Sequence, residues 1–191
     1  YVLKRLFARR VVLLAALALL AVAALAVFFP MISGVDPNAI SVMERLKPPS
    51  AEHWAGTDEL GRDLAMRIVW GGRYSIMIGI ATAFFSVVAG TALGLLAGFF
   101  KKLDAPIMRV IDAMMSFPDI LLGISLVSIL GASLWNVVLA LAIVYTPRVA
   151  RVVRASTLVI RELPYVEAAR ALGVPTPVIL VRHVLRNLAS P

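Results

Sequence analysis

Cysteine is absent from the 191 residues, and histidine occurs only twice. The first absence excludes a disulfide framework and thiol chemistry. The second leaves no HExxH zinc helix, because His53 and His183 stand far apart in the chain. No GxxxxGK[ST] loop and no GxSxG elbow occurs, so the chain has neither a P-loop phosphate cradle nor a hydrolase nucleophile of that kind. Charge is scarce, at 16% against about 25% in an average soluble domain. The net charge of +8 raises the question of nucleic acid. The basic residues flank apolar runs instead of forming one basic helix or tail, and this excludes it.

What is present is apolar. Hydrophobic residues make up 61% of the chain and mean hydropathy is +0.91, which defines a single membrane domain. The expected fold class is all-α, a polytopic membrane helical bundle. The first run, Val11–Phe29, holds 19 residues without a charge. As a helix it reaches roughly 28 Å, enough to cross the hydrocarbon core. Lys4, Arg5, Arg9 and Arg10 precede it in a short segment, 1–10. A cleaved signal peptide has a shorter apolar core, about 7–15 residues, so this run reads as a retained span. Further spans are expected at 74–100, 107–130 and 134–150, with Gly131-Ala132-Ser133 turning between the last two. The segment 30–73 is too polar to span.

Orientation follows from the positive-inside rule. With the N-terminus inside, the outer loop holds only Arg45, Lys47, Arg62, Arg67 and Arg73. Six acids, Asp36, Glu44, Glu52, Asp58, Glu59 and Asp63, outnumber them. The other basic residues are then cytoplasmic, and so is the final segment, 151–191.

Two patterns lie within the spans. Ser86, Gly90, Gly94 and Gly98 recur every fourth residue on one helical face and let another backbone approach closely. Ordinary helix packing and a moving interface both fit them. In the third run Arg109, Asp112, Ser116 and Asp119 recur at steps of three and four, which places them on one face of a continuous helix kinked at Pro118. Charges so close to lipid must pair or meet water. Either Arg109 pairs locally with Asp112 near the interface, or the stripe lines a path or a partner subunit. Asp119 is then the deepest candidate.

The tail reads as helix, tight turn, helix. Residues 164–172 favour a short helix ended at Gly173, the usual residue just past a helix C-terminus. Thr176 reads as an N-cap and Pro177 as the first helical residue, with the second helix running to about Leu188. Tyr165, Ala168, Ala169 and Leu172 share an apolar face, which from periodicity alone packs on the chain's own spans.

Glu167, Ala168, Ala169 and Gly173, followed by His183 and Leu185, fit the EAAxxxG…IxLP pattern in register. This segment resembles the EAA loop of ABC-transporter permeases, the cytoplasmic stretch that docks the membrane subunit on its ATPase. His183 stands where isoleucine is general, as in the oligopeptide and dipeptide branch, and Arg186 replaces the proline. In the outer loop, His53-Trp54-Ala55-Gly56-Thr57-Asp58-Glu59-Leu60-Gly61-Arg62-Asp63 resembles the HxxGTDxxGRD signature of the second permease of peptide and nickel importers. A lone histidine beside carboxylates is by itself a weak metal signal, and no metal is expected.

The resemblance covers nearly the whole chain and implies a type I ABC importer permease fold. Four of an expected six spans are then present, so the chain reads as part of a longer protein. It implies a second permease subunit, two ATPase subunits that carry the ATP and magnesium, and an extracytoplasmic substrate-binding protein. The implied location is a bacterial or archaeal cytoplasmic membrane. Glu167, Ala168, Ala169, Arg170, Gly173, His183 and Leu185 become docking candidates. Asp119, Asp112 and Ser116 become translocation-path candidates, and Gly56, Thr57, Asp58, Gly61, Arg62 and Asp63 the outer signature. No cofactor is expected on this chain. Peptide is the expected substrate, with nickel or another small solute as the alternative. An ATP-independent channel or secondary transporter explains the spans but leaves the cytoplasmic motif unexplained. An aspartyl protease does not fit, since Asp112 and Asp119 on one helix are roughly 10 Å apart.

Overall fold

The computed structural model describes residues 10–188. Lys4, Arg5 and Arg9, expected to orient the first span, lie outside them. The described residues are almost wholly helical and divide into two compact units at Met77/Ile78.

The first unit opens with α1, Arg10–Ser33. Among its residues only Ala26 and Pro30 are buried. A helix that is apolar all round and unburied by protein belongs in lipid. The loop that follows contains a 3₁₀ turn, Val42–Glu44, and leads into α2, Leu64–Phe99. Phe29 on α1 meets Trp54 of the loop, with ring centroids 6.1 Å apart. Helix α2 starts ten residues before the span expected from hydropathy at Tyr74. Its start is set by a cap: Asp63 Oδ1 accepts the Met66 N–H at 2.9 Å. Hydropathy reports only the part of a helix that needs lipid, and Arg67 and Arg73 do not end the helix beyond it.

The second unit runs from Ile78. It takes in the rest of α2, then α3 (Lys101–Met115), α4 (Asp119–Leu130) and α5 (Leu134–Ile160). The small-residue stripe packs α2 on α5. Ser86, Gly90, Gly94 and Gly98 are all buried. Ser86 Oγ donates to the Ala142 carbonyl at 3.3 Å. A Cβ on Gly94 would stand 2.6 Å from the Ala150 carbonyl oxygen and 2.7 Å from Val153 Cβ. Equivalent clashes, at 2.5 Å with Val149 Cβ and 2.6 Å with Thr157 Cβ, await a Cβ on Gly90 and Gly98. The two backbones therefore meet along three helical turns.

The third apolar run is not the single helix expected over 107–130. Helices α3 and α4 meet at 93°. Pro118 has no N–H to continue α3 and disfavours helical backbone at Phe117 before it. The chain leaves the helix at Ser116 and restarts at Asp119, with Pro118 extended at ψ 128°. Arg109, Asp112, Ser116 and Asp119 therefore do not share one continuous helical face. Among the described residues three helices are long and apolar enough to cross a membrane, and the bent pair makes a fourth if counted as one broken span. Helix α5 is capped by Ser133, whose Oγ accepts the Asn136 N–H at 3.2 Å. It continues ten residues past the expected end at Ala150, because the arginines from Arg148 onward leave lipid without ending a helix.

Candidate functional site

After α5 the chain folds into an elbow. Helix α6, Pro164–Ala171, begins with proline at its first position, where the missing N–H is an orphan anyway. Glu167 sits in the first turn and Arg170 in the last, each favourable to the helix dipole. The stop is a Schellman motif. Gly173 has φ +73°, its N–H donates to the Arg170 carbonyl at 3.0 Å, and the Val174 N–H donates to the Ala169 carbonyl at 3.1 Å. The second limb is α7 (Thr176–Val178), a π-helical run Ile179–Leu185, and α8 (Arg186–Leu188). Pro175, not Thr176, is its N-cap. The limb therefore starts one residue earlier than the Thr-Pro pattern indicates.

The elbow is seated on the chain's own spans. Val166, Ala169, Ile179 and Val184 are buried with Ile160, and Leu95, Phe99 and Leu163 pack against them. The inward face of α6 is thus Val166 and Ala169, not the expected Tyr165/Ala168/Ala169/Leu172 stripe. Leu172 is the C-cap, beyond the last full turn, and is 84% exposed. Three polar ties reinforce the seat. Arg161 Nη1 donates to the Gly98 carbonyl at 2.7 Å. The Arg170 guanidinium lies 4.8 Å from the Phe99 ring centroid, a cation–π contact. Asn187 Nδ2 donates to the Tyr165 hydroxyl at 3.0 Å and to the His183 carbonyl at 2.6 Å.

Of the docking candidates, Ala169 is buried and Arg170 is turned onto Phe99. His183 is half-buried, its ring centroid 6.4 Å from that of Tyr165. Glu167, Ala168, Gly173 and Leu185 are exposed.

The path candidates lie where α3 and α4 meet α5. Arg148 pairs with Asp119. Arg151 pairs with Asp112 at 2.6 Å, in place of the expected Arg109–Asp112 pair. Arg154 grips Asp104 through two bonds of 2.5 and 2.6 Å. Ser116 caps α3, its Oγ donating to the Ala113 carbonyl at 2.7 Å. Asp104 and the three arginines are absent from the sequence-based candidates. The step of three among Arg148, Arg151 and Arg154 marks one face of α5, but nothing in it names the acids opposite. Asp119 also edges a cavity of about 370 Å³ whose walls include Ile120, Gly123, Ile124, Val137 and Tyr145.

The signature at 53–63 is a compact, internally bonded loop. Thr57 is buried; its Oγ1 donates to the Glu44 carbonyl and accepts the Lys47 N–H at 2.9 Å. Asp58 accepts the Leu60 and Arg62 N–H groups at 2.8 and 3.0 Å, Arg62 Nε at 2.8 Å and Arg67 Nη1 at 2.6 Å. Partial burial opposes ionisation of Asp58, but the Arg62 and Leu60 N–H groups and the Arg62 side chain outweigh it and hold the carboxyl at about 2. Gly61, at φ +73°, passes so close to Ser41 that a Cβ would fall 1.8 Å from its carbonyl oxygen. The Gly56 carbonyl accepts the Leu64 N–H at 3.1 Å. Asp63 caps α2 and bonds His53 Nδ1 at 2.9 Å.

Residues 90–191 match the family described as binding-protein-dependent transport system inner membrane component. The chain belongs to this family. It is 40% identical over 168 residues to a dipeptide transport system permease of Alkalihalophilus pseudofirmus, covering 87% of this chain and 55% of that one. It is 46% identical over 143 residues to a glutathione transport system permease of Pectobacterium atrosepticum, covering 74% and 48%. It is 39% identical over 173 residues to a di/tripeptide transport system permease of Pseudomonas aeruginosa, covering 87% and 57%. The chain spans about half the length of these relatives. Within this binding-protein-dependent transport component, the matched stretch takes in Gly90, Gly94 and Gly98, the three ion pairs and the elbow. The signature loop at 53–63 lies before it.

Proposed function

We propose that the chain serves as a transmembrane permease subunit of an ATP-driven importer of dipeptides or oligopeptides. The observation that carries this reading is the elbow: two short helices joined by a Schellman turn, fixed to the ends of α2 and α5, with the Glu167 edge left exposed. Substrate class follows from the relatives, permeases for dipeptides, glutathione, and di- and tripeptides. In this reading the elbow faces the cytoplasm and lies in a cleft of one of two ATPase subunits, which hydrolyse ATP. A second permease completes the path, and an extracytoplasmic binding protein delivers substrate. Glu167 supplies a charged contact and Ala168 and Gly173 permit close approach. Because Val166, Ala169, Ile179 and Val184 form one core with Ile160, a push on the elbow moves α5 and α2 with it. That makes the elbow a two-state lever biased from a distant site. Asp119, Asp112 and Ser116 line the path or the hinge that shapes it.

The test uses the full-length gene product with its neighbours. Wild type is expected to co-purify with an ATPase and a second permease in mild detergent. Glu167→Lys is expected to insert normally, lose the ATPase and abolish peptide uptake. Uptake at the wild-type rate in Glu167→Lys overturns the docking role. Uptake that persists without ATP overturns the importer reading in favour of an ATP-independent carrier.

A further inference from the structure

The outer loop brings three carboxylates to one imidazole. Glu44 ends the 3₁₀ turn, Glu52 and His53 lie in the following turn, and Asp63 caps α2. His53 Nδ1 stands 2.9 Å from Asp63 Oδ2, an ordinary hydrogen bond. This fixes the ring and leaves Nε2 turned toward Glu44. One ligand atom from each of Glu44, Glu52 and His53 lies within 4.8 Å of the others.

The Nε2 contact has a different character from the Nδ1 contact. Nε2 is 3.4 Å from Glu44 Oε2. A charge-assisted N–H···O bond is about 2.7–2.9 Å long, so this separation is too great for one. Two ligands of a tetrahedral zinc ion, with bonds of about 2.0–2.1 Å to nitrogen and 2.0–2.2 Å to oxygen, lie roughly 3.3–3.5 Å apart. The pair is spaced as the edge of a metal tetrahedron. Backbone and side-chain bonds hold both ligands. The Glu44 carbonyl accepts the Thr57 hydroxyl, and the His53 carbonyl accepts the Ser50 and Gly56 N–H groups at 2.8 and 2.9 Å. Glu52 is exposed and can swing in.

We propose that this loop binds one divalent first-row transition ion, zinc by its donor set, through His53 Nε2, Glu44 and Glu52. Water completes the coordination. Asp63 is a positioning residue: its bond to Nδ1 sets the tautomer and ring angle, as a carboxylate does behind many metal-bound histidines. Binding would tie the 3₁₀ turn to the start of α2 and stiffen the segment between them. The proposal does not rest on the importer reading.

Cobalt replaces zinc as a visible probe. Full-length protein in detergent is stripped with EDTA and titrated with cobalt(II), and the d–d absorption is followed. One equivalent is expected to give a band that zinc displaces. His53→Gln abolishes it, and Glu52→Gln, at an exposed side chain, raises the half-saturating cobalt concentration more than tenfold. Asp63→Asn weakens binding about 10–100-fold. Absence of a band up to millimolar cobalt overturns the proposal and leaves His53 as a hydrogen-bonded strut only. So does a band unchanged in both His53→Gln and Glu52→Gln, provided each variant elutes as a single folded species.

Discussion

Gly94 and Gly79 lie on the same helix, and only their surroundings differ. A Cβ on Gly94 would meet the Ala150 carbonyl at 2.6 Å and Val153 at 2.7 Å, whereas one on Gly79 has nothing within 4 Å. Gly94→Val is therefore expected to destabilise by about 1–3 kcal/mol, the usual cost of overpacking. Gly79→Val is expected to be nearly neutral. Thermal unfolding of the two variants in one detergent checks the contrast, and equal melting temperatures would contradict close backbone packing at Gly94.

A second consequence at this scale concerns pH. Asp63 and Glu44 raise the His53 pKa above its ordinary 6.5, the Asp63 hydrogen bond being the largest cause and partial burial opposing it. A raised folded value means that the stability from this contact is fully present below about 6.5 and is lost as pH rises through the folded value. Asp58 has the opposite sign. Its contribution is present above the ordinary carboxylate range and is lost as pH falls toward about 2. In metal-free protein, the urea midpoint of the loop followed by Trp54 fluorescence is expected to fall from pH 6 to 8, and His53→Gln is expected to remove that dependence.

At the scale of elements, three arginines of α5 brace α3 and α4, and the braces are unequal. Asp104 and Arg154 are each 27% exposed and share two bonds, while Arg151 and Asp112 are 50% and 58% exposed and share one. Arg151→Ala is expected to cost under about 1 kcal/mol, as exposed pairs do. Arg154→Ala removes charged hydrogen bonds worth about 1.5–3 kcal/mol. The exchange Asp104→Arg with Arg154→Asp is expected to recover part of that loss, read as thermal stability of the four proteins in a double-mutant cycle.

The same elements show what the sequence discloses and what it withholds. A membrane selects for mean hydropathy, so the apolar runs of α1, α2 and α5 are plain. The Gly173 stop is plain because few other residues tolerate its backbone. The ends of α2 and α5 are hidden, since charge outside lipid does not stop a helix. The break at Phe117-Pro118 is half-legible, because a proline inside an apolar run is compatible with a kink or a right-angled restart. Packing of α4 on α5 decides between them. The partners of Asp104, Asp112 and Asp119 lie 29 to 50 residues away, and no local pattern carries such pairs. The Val166/Ala169 face of α6 is hidden too, because eight residues are too few for periodicity to separate it from the Tyr165/Leu172 side.

At the scale of the molecule, the proposed importer needs a mechanical link between the elbow and the spans, and the buried cluster is where such a link would fail. Ile179 is 1% exposed and sits among Ile160, Val166 and Val184. Shortening it to alanine removes packing at a cost of about 2–5 kcal/mol but leaves the Glu167 edge and the Schellman turn unaltered. Val178, one residue away, is 41% exposed and serves as the control. If the elbow transmits force as one body with α5, Ile179→Ala retains the co-purifying ATPase while peptide taken up per ATP hydrolysed falls several-fold, and Val178→Ala keeps the wild-type ratio. Reconstituted vesicles with parallel uptake and phosphate-release assays measure both quantities. An unchanged ratio in Ile179→Ala, with normal assembly, would mean that force reaches the spans by a route other than this core, and the direct tie from Arg161 to the Gly98 carbonyl would be the next element to break.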